Sequence, residues 1–268
     1  MSTSTTRKDF EPKNAVVTGA AMGLGRSIAL RLAKDGLNVV VNDLEAKSSE
    51  LASVVKEIEA LKAGKVTFVL GDVTAEETSP ALVKKCVEEF GSLDVMVCNA
   101  GTAWSSQITE TSFAKVQTIL DTNFKSMWLG YSAAATQMIK QNTGGRIIGA
   151  CSTAGKKGFP FAAAYCASKF AVRGLTQSAA QEWGQNGITV NTYCPGLVRT
   201  PLIESLYGSG AAIGDASTTP DDAWAKLCAL RRVGDPEDIA GIVSWLASKD
   251  AAYVTGQNIN VDGGGLFD

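Results

Sequence analysis

The 268-residue sequence contains no histidine. Without imidazole there is no Ser-His-Asp triad and no metal centre built on ring nitrogens, so no metal ligands are assigned. Charge is sparse. Twenty-five Lys and Arg against 27 Asp and Glu leave a net −2, and no Lys/Arg block gives nucleic acid an electrostatic footprint. No apolar run approaches the roughly 18 residues that a membrane span needs. None of the six cysteines (Cys86, Cys98, Cys151, Cys166, Cys194 and Cys228) belongs to a Cys-x-x-Cys pair. Set mostly in apolar runs, they read as reduced, buried thiols, which predicts a cytoplasmic protein. The opening MSTSTTRKDFEPKN lacks the apolar core of a secretory signal. It reads as a flexible polar arm over residues 1–13.

What is present is ordinary for a soluble α/β protein: 45% hydrophobic and 19% charged residues. Short β-branched runs predict strands at Ala15–Thr18, Asn38–Asn42, Val66–Leu70, Val95–Cys98, Arg146–Ala150, Thr189–Tyr193 and Asn258–Val261. Helical patterns separate them at Leu24–Lys34, Ser48–Leu61, Pro80–Phe90, Phe113–Lys140, Ala162–Trp183 and Pro236–Ala247. The alternation implies βαβ units and a parallel sheet with helices on both faces. Residues 14–268 read as one domain. Residues 202–230, rich in Gly, Ala, Ser and Thr at their middle, break the rhythm and read as a lid.

The first strand runs into TGAAMGLG, which puts Gly19, Gly23 and Gly25 where a strand turns into a helix. Glycine permits the turn and lets backbone approach a pyrophosphate, which the helix N-terminus favours. Asp43 ends the second strand, placed to accept hydrogen bonds from both ribose hydroxyls of an adenosine and to repel a 2′-phosphate. That predicts NAD(H) over NADP(H). Asp72 and Val73 follow strand three, where an adenine could rest. Asn99, Ala100 and Gly101 follow strand four and are small enough for close approach. Met22, Leu24 and Leu44 complete the set expected around the cofactor.

In AYCASKFAV, Tyr165 and Lys169 stand one helical turn apart, and Ser152 lies 13 residues before the tyrosine. A phenol near pKa 10 is a poor base at neutral pH. A cation within about 4–6 Å lowers that value by roughly 1–3 units. The spacing predicts that Lys169 tunes Tyr165 to trade a proton with a carbonyl or alcohol oxygen, which Ser152 also holds.

Taken together, these motifs resemble the short-chain dehydrogenase/reductase family, from about Asn14 to the end of the chain. Asn191, Pro195-Gly196 and TGQNINVDGGG add to the match. The resemblance implies one Rossmann-like domain with seven parallel strands and a homotetramer. It implies a tetrad of Asn123, Ser152, Tyr165 and Lys169, with Asn123 holding a water that links Lys169 to solvent. Lys169 would also bind the nicotinamide ribose. Pro195, Gly196, Val198 and Thr200 would line the nicotinamide face. Ala133–Ala135 and Ala162–Ala164 would allow close approach between subunits, or pack internally.

Within the family, residues 168–202 and the ending DGGGLFD are most similar to the acetoin and diacetyl reductases (2,3-butanediol dehydrogenases). The expected substrate wall departs from theirs, with Thr153, Phe159, Phe161 and Ile203. An apolar, aromatic wall predicts a bulkier secondary alcohol or ketone, cyclic or terpenoid, with acetoin as the alternative. Two other classes share parts of the pattern. Methyltransferases use a similar glycine loop but have no need of Ser152, Tyr165 and Lys169. A catalytically silent dinucleotide sensor predicts a broken tetrad.

Overall fold

The computed structural model describes residues 10–203 and 220–267. Seven strands form one parallel sheet in the order β3-β2-β1-β4-β5-β6-β7. They are β1 (Asn14–Thr18), β2 (Asn38–Asp43), β3 (Val66–Leu70), β4 (Val95–Cys98), β5 (Gly145–Ala150), β6 (Ile188–Pro195) and β7 (Asn258–Val261). The helices are α1 (Gly23–Lys34), α2 (Ser48–Leu61), α3 (Thr78–Phe90), α4 (Phe113–Leu120), α5 (Ser126–Gln141), α6 (Ala163–Trp183), α7 (Pro220–Leu227) and α8 (Pro236–Ala247). This is the parallel sheet that the alternation predicts and the single Rossmann-like domain that the family resemblance implies.

The period of two in the strands divides the core. Ala15, Val17, Val39, Val41, Val95 and Val97 face one way, against Ile28 and Leu32 of α1, Leu51 and Ile58 of α2, and Ile239 and Val243 of α8. Val16, Val40, Met96, Cys98 and Ile147 face the other, against Leu82 of α3, Met127, Tyr131 and Met138 of α5, and Val172 of α6. Strands covered on both faces have no solvent side to keep polar, so they read as continuous apolar runs. The last helix starts as expected, with Pro236 in its first turn and Asp235 and Asp238 in a reciprocal capping box.

The predicted single helix Phe113–Lys140 is interrupted. A wider π-type turn occupies Asp121–Lys125. Its centre, Asn123, is fully buried and bonded to backbone outside the helix. Serving those groups pulls the chain off the regular ladder, which periodicity alone does not reveal. β6 also runs two residues past the expected end, because Pro195 can still accept in the ladder and pairs with Val261. Ala134 and Ala135 are buried in the chain's own core, so they pack internally. Residues 1–9 of the expected arm and 204–219 of the expected lid lie outside the described residues. Phe10 of the arm lies under the Arg146 guanidinium, 4.1 Å from its ring centre. Among the described residues no helix is long and apolar enough to cross a membrane.

Two helical glycines separate packing from propensity. A Cβ at Gly130 in α5 would lie 2.5 Å from the Cys98 sulfur, whereas one at Gly174 in α6 meets nothing within 4 Å. Both alanine variants gain about 0.5–1 kcal/mol of helix preference. Overpacking costs about 1–3 kcal/mol and outweighs it only at the first. Urea midpoints should therefore fall for Gly130→Ala and rise for Gly174→Ala.

Candidate active site

All strands point the same way, so their carboxyl ends share one edge. The strand order reverses between β1 and β4, and ligands of open α/β sheets bind at such a switch point. A cleft of about 560 Å³ opens there. Every residue expected to hold the cofactor lines it: Gly19, Met22, Gly23, Leu24 and Gly25 from the first loop, Asp43 and Leu44, Asp72 and Val73, Asn99–Gly101, and Pro195, Gly196, Val198 and Thr200. Tyr165, Lys169 and Ser152 line the same cleft.

The glycine loop is shaped by contacts that no other residue would permit. Gly19 and Gly23 have φ of +62° and +54°. A Cβ at Gly25 would sit 2.0 Å from the Gly19 carbonyl oxygen. Asn99 braces this turn. Its amide donates to the Thr18 and Gly19 carbonyls at 2.9 and 3.1 Å, and its Oδ1 accepts from the Tyr193 hydroxyl at 2.8 Å. The Thr18 hydroxyl accepts from the Asn99 and Ala100 amides. Asp43 Oδ2 accepts from the Ala21 amide at 2.9 Å, tying the end of β2 to the loop.

The residues fit a dinucleotide. Helix α1 begins without a side-chain cap at Met22 and without an acidic residue in its first turn. Its free N–H groups and positive dipole end therefore face the cleft uncompensated, which suits a pyrophosphate. The carboxylate of Asp43 stands at the far end, where a ribose would bring hydroxyl donors.

At the chemistry end, Ser152 starts the short turn after β5, its Oγ accepting from the Ala154 amide at 3.1 Å. Tyr165 and Lys169 project from the first turns of α6. The Lys169 ammonium is buried, donates to the Ala150 carbonyl at 2.8 Å and lies 5.6 Å from the Tyr165 ring centre. The electrostatics of the protein alone run opposite to the expectation. Burial pushes the Tyr165 phenol up to about 12, with a hydrogen bond to Ser152 acting the other way. Burial also lowers the ammonium of Lys169. Removal from water disfavours both charged forms.

Asn123 does not line the cleft but stands behind it. Its Oδ1 accepts from the Thr102 amide at 2.8 Å; its Nδ2 donates to the Thr102 carbonyl at 2.9 Å and the Ser168 hydroxyl at 3.0 Å. Ser168 in turn donates to the Tyr165 carbonyl at 2.7 Å. One amide thus joins the loop after β4 to the turn that carries Tyr165. The expected substrate wall is only partly at the cleft. Ile203 lines it, joined by Leu202 and Ala103, but Thr153, Phe159 and Phe161 do not. Thr153 is buried in its short turn. Phe161 is 58% exposed, at φ +63°, with its carbonyl accepting from the Ser106 amide. Sequence reasoning gave no role to Tyr193 or Ser168. A phenol inside a fully buried strand and a serine one residue before the lysine were the available signals.

A parallel sheet whose switch-point crevice ends in a half-buried tyrosine beside a buried lysine is the frame of a dinucleotide-dependent oxidoreductase. Sequence and structure comparisons agree. A family profile described as enoyl-(acyl carrier protein) reductase matches residues 19–265. A short-chain dehydrogenase/reductase of Armillaria gallica is 47% identical over 95% of this chain and 96% of its own. A diacetyl reductase, (S)-acetoin forming, of Staphylococcus epidermidis is 40% identical over 95% and 99%. A solved short-chain type dehydrogenase/reductase of Mycobacterium marinum superposes with a TM-score of 0.87 at 33% identity, covering 97% of this chain and 98% of that one. The chain belongs to the short-chain dehydrogenase/reductase family.

With its pKa raised to about 12, the Tyr165 phenol stays neutral in the ligand-free protein well past the ordinary tyrosine value. Ultraviolet titration of that protein against Tyr165→Phe should show no phenolate difference signal below about pH 10. A signal centred nearer neutrality would mean that Lys169 alone suffices to tune the phenol.

Proposed function

We propose that the chain interconverts a secondary alcohol and a ketone using NAD(H), with Tyr165 exchanging the proton. The observation that carries this reading is the meeting of Ser152, Tyr165 and Lys169 in the cleft that also holds the glycine loop. When bound, the nicotinamide supplies or accepts the hydride, and its oxidised form brings a positive charge to the phenol. Tyr165 donates its proton to the ketone oxygen in reduction and removes one from the hydroxyl in oxidation. A phenol kept protonated by burial is ready for the first of these. Ser152 hydrogen-bonds the same oxygen and fixes its position. Lys169 holds the nicotinamide ribose and favours the phenolate as it forms. Asn123 sets the backbone behind them and positions the water through which Lys169 exchanges protons with solvent.

Asp43 supports NAD over NADP. Its carboxylate would accept from the ribose hydroxyls and repel a 2′-phosphate. The apolar residues Ala103, Leu202 and Ile203 at the chemistry end support a substrate bulkier than acetoin, such as a cyclic or terpenoid ketone. The 40% identity to a diacetyl reductase favours the second reading, acetoin or diacetyl itself. Exposed aromatics on the helices after β4, Phe113 at 75% and Trp128 at 55%, support self-association, read as a homotetramer. The buried thiols support a cytoplasmic setting.

The test is a panel of acetoin, diacetyl, cyclic and aryl ketones with NADH, run on the wild type and Tyr165→Phe. We expect bulky ketones to be preferred and the variant to lose roughly 100-fold or more in kcat while binding NAD normally. A wide preference for acetoin selects the second reading. Retention of most activity by Tyr165→Phe removes the role given to the phenol. Asp43→Ala should narrow the ratio of kcat/KM values for NADH and NADPH by tenfold or more; an unchanged ratio would rule out the ribose contact.

A further inference from the structure

Strands β5 and β6 pair in parallel with Ala150 beside Tyr193, and the Cys151 amide donates to the Tyr193 carbonyl at 2.9 Å. One step on, the same register sets Cys151 beside Cys194. Neighbouring strands lie about 4.8 Å apart, within the roughly 4.4–6.8 Å between α-carbons that a disulfide spans. Both side chains belong to the core on the same face of the sheet, and each thiol shifts the titration of the other. Among the six cysteines, Cys151 is the one that lines the cleft. It directly precedes Ser152, and its Sγ lies 3.4 Å from the Lys169 carbonyl oxygen.

We propose that Cys151 and Cys194 form an oxidisable dithiol at the floor of the cleft, converted to a disulfide by peroxide-class oxidants. The Cys151 thiolate attacks one peroxide oxygen. An S–O bond forms, the O–O bond breaks, and the departing hydroxide takes up a proton as water. The Cys194 sulfur then attacks the Cys151 sulfur. The S–S bond forms, the S–O bond breaks, and the second hydroxide leaves as water with the Cys194 proton. Two thiols are oxidised and one peroxide is reduced to two waters.

The surroundings favour attack by Cys151, while its hydrogen bond and burial keep the Cys194 thiol protonated until it meets the oxidised sulfur. Hydrogen bonding from Cys194, aided by the charge of Lys169, lowers the Cys151 thiol. Burial instead pushes Cys86 and Cys98 up to about 12. The more acidic sulfur therefore belongs to the cysteine that borders the cleft. A Cβ at Gly155 would lie 2.4 Å from the Cys151 sulfur. That crowding leaves an added oxygen little room, so capture by Cys194 is favoured over accumulation of the sulfenic acid. The disulfide would draw the residue before Ser152 toward β6, next to Pro195 and Gly196. Oxidation thus reaches both the serine and the nicotinamide-facing backbone. The proposal rests on the register and the cleft, and holds whatever ketone the site takes.

The test is peptide mapping by mass spectrometry after exposure of the full chain to hydrogen peroxide and alkylation of remaining thiols. We expect loss of two hydrogens, with the Cys151 and Cys194 peptides linked and the link reversed by dithiothreitol. The link should persist in Cys98→Ala and be absent from Cys194→Ala. Linkage of another pair, or oxidation confined to other cysteines, overturns the proposal. So does a chain left fully alkylatable at both positions. The wild-type map decides the question even if Cys194→Ala does not fold.

Discussion

Seven strands running one way bring seven carboxyl ends to one edge, and everything at that edge must satisfy its neighbours. Backbone at the end of a parallel ladder has lost its partners in the sheet. Buried polar groups left unpaired cost about 1–3 kcal/mol each. The edge is therefore stitched by side chains. Asn99 serves Thr18 and Gly19, Tyr193 serves Asn99, Asp43 serves Ala21, and Asn123 serves Thr102. The cleft is the space these braces hold open. Its shape follows from hydrogen bonds that side chains of β2, β6, the loop after β4 and the π-type turn make mostly to backbone.

The same edge sets burial against charge. Lys169 and Tyr165 sit where water is scarce, and the neutral forms of both gain from that. Attraction between an ammonium and a phenolate is strong in a low dielectric, but forming the two charges there costs more. A tyrosine–lysine pair shifted in this way ionises less readily until something adds charge or polar contact beside it. Family membership as an oxidoreductase is consistent with a site in which the residues are preset and the last electrostatic adjustment comes with the reactants.

The fold was almost fully legible in the sequence because period and punctuation agree. Doubly buried strands read as apolar runs, and Pro236 and Asp235 announce the last helix. Glycines alone can fill the turn after β1. The candidate site was legible where a motif carries its own geometry, as in the one-turn spacing of Tyr165 and Lys169. It was less legible where long-range contacts decide. Nothing local says that Asn123 reaches Thr102 and Ser168, so a single helix was expected where a π-type turn stands. Thr153, Phe159 and Phe161 follow Ser152 closely in sequence. Their absence from the cleft lining follows from how the turn before α6 folds, with Phe161 left-handed and bonded to Ser106.

The wide turn at Asp121–Lys125 also acts as a phase shifter. In a regular helix each residue advances about 100° around the axis, so one additional residue in a turn rotates everything beyond it by that amount. Met127, Tyr131, Ala134 and Met138 face the sheet because the turn has already made that rotation. Deleting one residue there would restore an unbroken spiral while swinging this row sideways, so the amide of Asn123 fixes which side of a 16-residue neighbour meets the core: a residue behind the cleft setting the register of a packing surface several turns away.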